Sequence, residues 1–312
     1  MYAFELSLHE LKATLSILVY YIAYTFMYML SLLPFRVLYI FSDVLYVVLY
    51  YLIGYRKKIV LLNLRNSFPD KSEAELQVIS RKFYHFLCDM FLESFKTLTI
   101  SPKEMQEHCF FSTEAKQLFT QMAAENKSVM IVMGHYGNWE WGGNVFNQNC
   151  KHQLYVIYHP LANKHFDGLM YQMRTRFGTK LIPMKETFKV MLSERSDLSA
   201  TAFIADQTPV PDHAAWIKFL NQDTPVFKGY EIIAKKLNYP VVYLRLNRTK
   251  RGYYEMRTEL LCAQPKDCKD GEIIELFNRR LEQDIVMQPE YWLWTHRRWK
   301  HKPPVKGIET NI

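Results

Sequence analysis

His135 and Glu140 stand five positions apart in the run Val132-Met133-Gly134-His135-Tyr136-Gly137-Asn138-Trp139-Glu140. An imidazole faced by a carboxylate can work as a general base near neutral pH. The carboxylate fixes the tautomer and balances the charge that forms when the ring takes a proton. Residues 128 to 133 are a short apolar run, partly β-branched and closed by glycine, which predicts a buried strand. Gly134 and Gly137 permit a tight turn and a close backbone approach. Asn138 is placed to cap a helix running to Asn149. Strand end, loop and helix start would then bring His135 and Glu140 face to face.

Three further groups carry chemistry. Arg174 and Arg176 lie near the C-terminal end of a helix predicted over 163–177. They either complement the helix dipole or offer fixed charged donors to a phosphate or a developing oxyanion. Asp206 and Gln207 end an apolar strand, 199–205, before Thr208-Pro209, and read as support for an acceptor site. The run from Pro289 to Lys300 interleaves Trp292, Trp294 and Trp299 with Arg297, Arg298 and Lys300. That mixture suits a lipid headgroup interface or an acidic partner, with Trp294, Arg297 and Arg298 as contact candidates. No nucleic-acid-binding motif accompanies it.

The segment H-Y-G-N-W-E resembles the H-x4-D/E motif of the glycerolipid acyltransferase superfamily, in the form found in the late, or secondary, lipid A biosynthesis acyltransferases. The Pro289 to Lys300 run is similar to the Pro-Glu-x-Tyr-x-Trp-x-His-Arg-Arg-Phe-Lys ending of that branch, with one residue fewer before Tyr291. An Arg-x-Arg segment and an apolar strand ending in Asp-Gln recur there too. The departure is Leu220-Asn221, where the family more often has Phe-Gly. The resemblance spans the chain from its apolar N-terminal stretch to about Lys300. It implies transfer of an acyl chain from an acyl thioester, carried by acyl carrier protein, to a hydroxyl of a lipid A precursor. His135 would deprotonate the hydroxyl, held by Glu140, and Arg174 or Arg176 would bind the oxyanion or an acceptor phosphate. Asn138, Asp206 and Gln207 join them as substrate-side candidates. No metal and no cofactor are implied.

The elements that must position these groups are legible from pattern. After residue 127, strands and helices alternate, which argues an α/β fold, a mixed sheet flanked by helices, with candidate residues at strand C-terminal ends. Ser72 and Glu75 form a capping box opening a helix to about Thr97. A helix from Ser101 to about Ala124, strands at 154–158, 179–183 and 215–220, a helix over 187–196, another over 226–237, paired strands at 240–247 and 253–261, and a helix over 271–286 complete the reading. Ahead of them, residues 13–35 carry no charge and are long enough to span a bilayer. Residues 37–55 carry only Asp43, and either span or lie along the surface. The cluster Arg56-Lys57-Lys58 places the following chain on the cytoplasmic side of a bacterial inner membrane. The chain therefore divides into an anchoring region, 1–58, and a catalytic domain, 59–312.

Composition agrees with this division. The 312 residues are 49% hydrophobic and include 21 Tyr and 20 Phe, which implies wide apolar surface. The formal charge of +8 fits anionic membranes and an acidic carrier protein. Five cysteines without a C-x-x-C pair predict reduced thiols and neither a disulfide framework nor a zinc site. No Gly-x-Ser-x-Gly elbow marks a hydrolase. A lysophospholipid or acylated amino-acid lipid as acceptor remains open, as does a non-catalytic membrane-associated binding protein.

Overall fold

The computed structural model describes residues 2–193 and 197–303, with residues 2–13 as helical backbone alone. The tail of the helix expected over 187–196 and the segment 304–312 lie outside the described residues. Two apolar helices come first, α1 (Tyr2–Leu32) and α2 (Phe35–Val47), the second prolonged by a π-helical stretch, Val48–Ile53. Pro34 separates them, since it cannot continue a helix interior. Each contains 19 residues long and apolar enough to cross a bilayer. Leu15, Leu18, Ile22, Phe26 and Met29 form an outward stripe at helical spacing, each more than half exposed.

The opposite sides of α1 and α2 pack on α4 (Glu73–Lys96), which follows α3 (Lys57–Ser67). The capping box is present: the Ser72 N–H donates to Glu75 Oε2 at 2.8 Å, and the Glu75 N–H to Ser72 Oγ at 3.4 Å. Buried polar pairs tie α2 to α4. Ser42 Oγ donates to Asp89 at 2.6 Å, and Tyr39 OH to Glu93 at 2.9 Å. Arg248 and Arg251 complete the cluster by pairing with Asp89.

The helix expected over 101–124 is interrupted. α5 (Pro102–His108) gives way to β1 (Cys109–Phe111), and Ser112 then caps α6 (Thr113–Ala124) by accepting the Ala115 N–H at 3.1 Å. A three-residue strand is too short to break helical periodicity, so only its pairing reveals it. The chain continues through β2 (Val129–Met133), α7 (Trp139–Asn149), β3 (Gln153–Tyr158), α8 (Lys164–Thr175), β4 (Lys180–Pro183), α9 (Thr187–Leu192) and β5 (Ser199–Ile204). A hairpin of β6 (Ala215–Phe219) and β7 (Gln222–Val226) precedes α10 (Gly229–Leu237), so the helix begins three residues later than its pattern predicts. Leu220 and Asn221, both with positive φ, make its two-residue turn. Such a turn needs left-handed backbone at both positions, and neither residue is glycine. β8 (Val241–Lys250), β9 (Tyr253–Cys262) and α11 (Glu272–Met287) finish the domain.

Seven strands form one sheet in the order β1-β9-β8-β2-β5-β3-β4. All pairs are parallel except β8 with β9. β2 sits at the centre, and all five of its side chains are buried. A parallel strand covered on both faces reads as an unbroken apolar run, as this one does. Met130 and Val132 face a core built with α10 and α11, while Ile131 and Met133 face one built with α6 and α7.

Candidate active site

The register of the central sheet assembles the site. Met133 at the end of β2 pairs with Ile204 at the end of β5, so residues just beyond both strands meet at one edge. Those residues are His135 and Asp206. Asp206 Oδ2 accepts the His135 backbone N–H at 2.8 Å, and Oδ1 lies 2.6 Å from His135 Nδ1. Trp292 Nε1–H donates to Oδ2 at 2.8 Å. A carboxylate accepts only, so Nδ1 carries a proton, and in the neutral ring Nε2 is the nitrogen with the free lone pair. Burial pushes the Asp206 carboxyl upward, but the charge and hydrogen bonds of His135 outweigh it and hold the acid below its usual range.

Both glycines are fixed by contact. A Cβ on Gly134 would lie 2.8 Å from the Leu281 methyls, and one on Gly137, at φ +66°, would lie 2.1 Å from the Leu246 carbonyl oxygen. The Gly137 N–H donates to the Tyr291 carbonyl at 3.0 Å, and the Leu293 N–H to the His135 carbonyl at 3.2 Å. The His135 loop is thus paired along its length with residues 291–293.

His135 Nε2 stands 3.2 Å from the Gln207 amide nitrogen. Both side chains line a cavity of about 340 Å³ between α7 and the sheet. Ile131, Phe146, Leu154 and Leu244 form its apolar depth, while Glu140 and Arg174 stand in its wall beside His135.

Glu140 shares the cavity wall with His135 but is not hydrogen-bonded to it. Its carboxylate takes two hydrogen bonds from Arg174, Nε at 2.9 Å and Nη2 at 2.6 Å. Packing of α7 against α8 presents the guanidinium fork to the carboxylate, and a bidentate pair outcompetes a single imidazole. Although burial raises the Glu140 carboxyl, these bonds and the Arg174 charge hold it below its ordinary value. The carboxylate on the imidazole is Asp206, 71 residues further along the chain.

The remaining candidates separate. Arg176 turns away and donates through Nη1 to the carbonyls of Thr97 and Ile100, beyond the end of α4. Through Nη1 it ties the end of α4. Asn138 caps α7 by accepting the Trp141 N–H at 3.2 Å, and its amide donates to the buried Glu93 at 2.8 Å, so it lies behind the loop. Trp294 and Arg298 are not surface contacts. Trp294 is fully buried with Nε1 donating to the Pro289 carbonyl at 2.6 Å, and Arg298, 1% exposed, donates to the Pro225 carbonyl at 2.7 Å. Arg297 alone of these three is exposed.

Two participants were missed by pattern reading. Trp292 supplies the indole N–H on Asp206. His296 Nε2 lies 3.4 Å from the Thr208 N–H and 3.2 Å from its hydroxyl, which donates to the Arg298 carbonyl at 2.9 Å. Burial lowers the His296 pKa to about 4, so it accepts as a neutral ring. A ring N–H within an aromatic run was the available signal, but sequence does not say which tryptophan points inward.

The structure is an α/β fold with a partly apolar cavity beside His135. The comparisons narrow this further: the family described as bacterial lipid A biosynthesis acyltransferase matches residues 8–301, and the chain belongs to it. It is 22% identical over 260 residues to the lipid A biosynthesis palmitoleoyltransferase of Escherichia coli K12, covering 80% of each chain. It is 23% identical over 261 residues to the lauroyltransferase of that organism, again over 80% of each. To the myristoyltransferase it is 19% identical over 250 residues, 78% of this chain and 75% of that one. The protein is accordingly an acyltransferase.

Proposed function

We propose that this protein moves a fatty acyl chain from an acyl thioester on acyl carrier protein to a hydroxyl of a lipid A precursor, at the cytoplasmic face of a bacterial inner membrane. The observation that carries the reading is the His135 ring, proton held on Nδ1 by Asp206 and Nε2 beside the Gln207 amide in the wall of a cavity with an apolar depth.

The steps follow from that arrangement. His135 Nε2 takes the proton of the acceptor hydroxyl while its oxygen attacks the thioester carbonyl carbon. Asp206 balances the imidazolium. The carbonyl oxygen gains negative charge. Arg174 uses Nε and Nη2 on Glu140, which leaves Nη1 to donate to that oxygen, and the Gln207 amide lies on the same side. The tetrahedral intermediate collapses, the carbon–sulfur bond breaks, and the thiolate leaves with the proton from Nε2. The ester is formed and the ring returns to its starting state. The apolar cavity houses the donor chain, since the attacked carbon heads that chain and Arg174 stands at the cavity wall.

The names of the relatives, each a transferase of a particular acyl chain in lipid A biosynthesis, support the acceptor. The net charge of +8 favours an acidic carrier as donor partner. The two exposed apolar helices fit an anchor, and Arg56-Lys57-Lys58 after them fits a cytoplasmic catalytic domain. The test is acyl transfer by detergent-purified protein from acyl carrier protein thioesters to a tetra-acylated lipid A precursor, with lysophospholipid as a parallel acceptor. His135→Ala is expected to abolish transfer with thermal melting unchanged. Retained turnover would remove His135 as the base, and preference for lysophospholipid would move the acceptor.

A further inference from the structure

A second cavity, of about 180 Å³, lies on the other face of the sheet. Side chains alternate along a strand, and β5 shows the division. Ala202 lines the His135 cavity, whereas Phe203 and Ala205 line the second one together with Phe227, Tyr230 and Ile233. Among the described residues, no charged side chain lines this second space. Ile157, Met184 and Ile204 line both cavities, so the two meet at the C-terminal rim of β3, β4 and β5. Ala205, in the wall of the second cavity, directly precedes Asp206, which holds His135.

Transfer between two lipids brings two hydrocarbon chains to one reacting centre. The donor chain is fixed by its carbonyl carbon, which must sit between His135 Nε2 and Arg174, and so it fills the first cavity. A hydroxyl delivered to the same nitrogen arrives over the shared rim. We propose that the second cavity receives a hydrocarbon chain of the acceptor lipid, and that its size selects which acceptors are acylated. This rests on the reading of His135 as the base of a lipid acyltransferase. An uncharged slot whose mouth is lined by the half-exposed Met184 and Phe188 takes an alkyl chain arriving from apolar surroundings.

Two glycines separate the cavities experimentally. A Cβ on Gly229 in the second cavity meets only a Phe188 ring carbon, at 3.8 Å, and a Cβ on Gly143 in the first meets nothing within 4 Å. Neither glycine has positive φ. Gly229→Leu and Gly143→Leu therefore each fill one slot. The full chain is assayed in detergent with acyl carrier protein thioesters of increasing chain length and acceptor lipids of increasing chain length. Gly229→Leu is expected to raise KM for long-chain acceptors by about tenfold and to leave donor chain preference unchanged. Gly143→Leu is expected to shorten the preferred donor and to leave acceptor preference unchanged. Phe188→Ala, at the exposed mouth, is the second variant should Gly229→Leu fail to fold, and is expected to widen the range of acceptors accepted. Unchanged acceptor kinetics in the folded variant, or a shift in donor preference in place of acceptor preference, overturns the assignment while normal wild-type transfer keeps the enzyme reading. Absence of wild-type transfer to any lipid overturns both.

Discussion

The two ends of the chain look alike in composition and fold in opposite ways. The N-terminal helices and the run from Pro289 to Lys300 are both rich in aromatic residues and flanked by basic ones, and both read as surfaces for lipid or partner. In the structure the first keeps its apolar side chains outward: Leu18 is 55% exposed and Ile22 63%. The second turns inward, with Trp292 2% exposed and Trp294 fully covered. The difference lies in partners for polar atoms. An indole N–H is worth burying only where an acceptor waits. Asp206 and the Pro289 carbonyl supply two such acceptors. The exposed stripe of α1 contains aliphatic and aromatic side chains with no polar group that needs a partner. An aromatic-basic composition therefore does not by itself identify an interface.

Four experiments test this contrast. The largest effect is expected from Asp206→Asn. Its single carbonyl oxygen can satisfy the His135 N–H and Trp292, which turns the amide NH2 toward Nδ1 and imposes the wrong tautomer. Turnover measured in the acyl transfer assay should fall by about a thousandfold or more, far beyond what the accompanying loss of stability explains while the protein stays folded. Near-normal turnover would mean that the imidazole is oriented by other groups.

Next comes Trp292. Trp292→Ala is expected to lower unfolding free energy by about 3–5 kcal/mol, read by denaturant titration, because a buried indole is removed. Trp292→Phe keeps the ring but deletes the N–H on a buried carboxylate, at about 1.5–3 kcal/mol. A surface tryptophan would give almost nothing in either variant, so equal stability to wild type would return the C-terminal run to the surface.

The third is a pH effect from His296. Its pKa is depressed in the fold, to about 4, relative to an ordinary value near 6.5. The neutral ring thus stabilises the fold above the unfolded pKa, and this contribution is lost as pH falls from about 6.5 toward 4. Thermal melting across that window should decline less steeply in His296→Gln than in wild type. Parallel slopes would show that His296 is not buried as a neutral acceptor.

The smallest change in turnover is expected at the other end. Leu18→Arg with Ile22→Arg should leave turnover and melting of detergent-purified protein unchanged within about 0.5 kcal/mol, since both side chains are exposed. The same pair should release the protein from membranes in a fractionation assay, because charge in the bilayer centre is costly. A large loss of melting temperature would mean that this face packs on the protein.

Much of the local architecture was legible. The strand–glycine–histidine–helix run, the Asn138 cap and the Ser72 capping box depend on neighbours within a few residues, and each forms as its pattern predicts. What failed was long-range choice between equals. Glu140 and Asp206 are both carboxylates near strand or helix ends, and only the parallel register of β2 with β5 decides that His135 takes the second. Arg174 and Arg176 are two residues apart and therefore point to different sides of the chain, one to Glu140 and the other past α4. The β6–β7 hairpin was hidden because its turn is Leu220-Asn221 and Pro225 interrupts the second strand.

The pairing of the His135 loop with residues 291–293 also sets an order in time. During synthesis the apolar helices leave the ribosome before Trp292 is added, on the order of tens of seconds later at ordinary elongation rates. Until then His135 lacks the backbone partners at residues 291–293, and Asp206 lacks its indole donor. On the function proposed above, a nascent chain therefore has an incomplete proton acceptor until residues 291–293 are made.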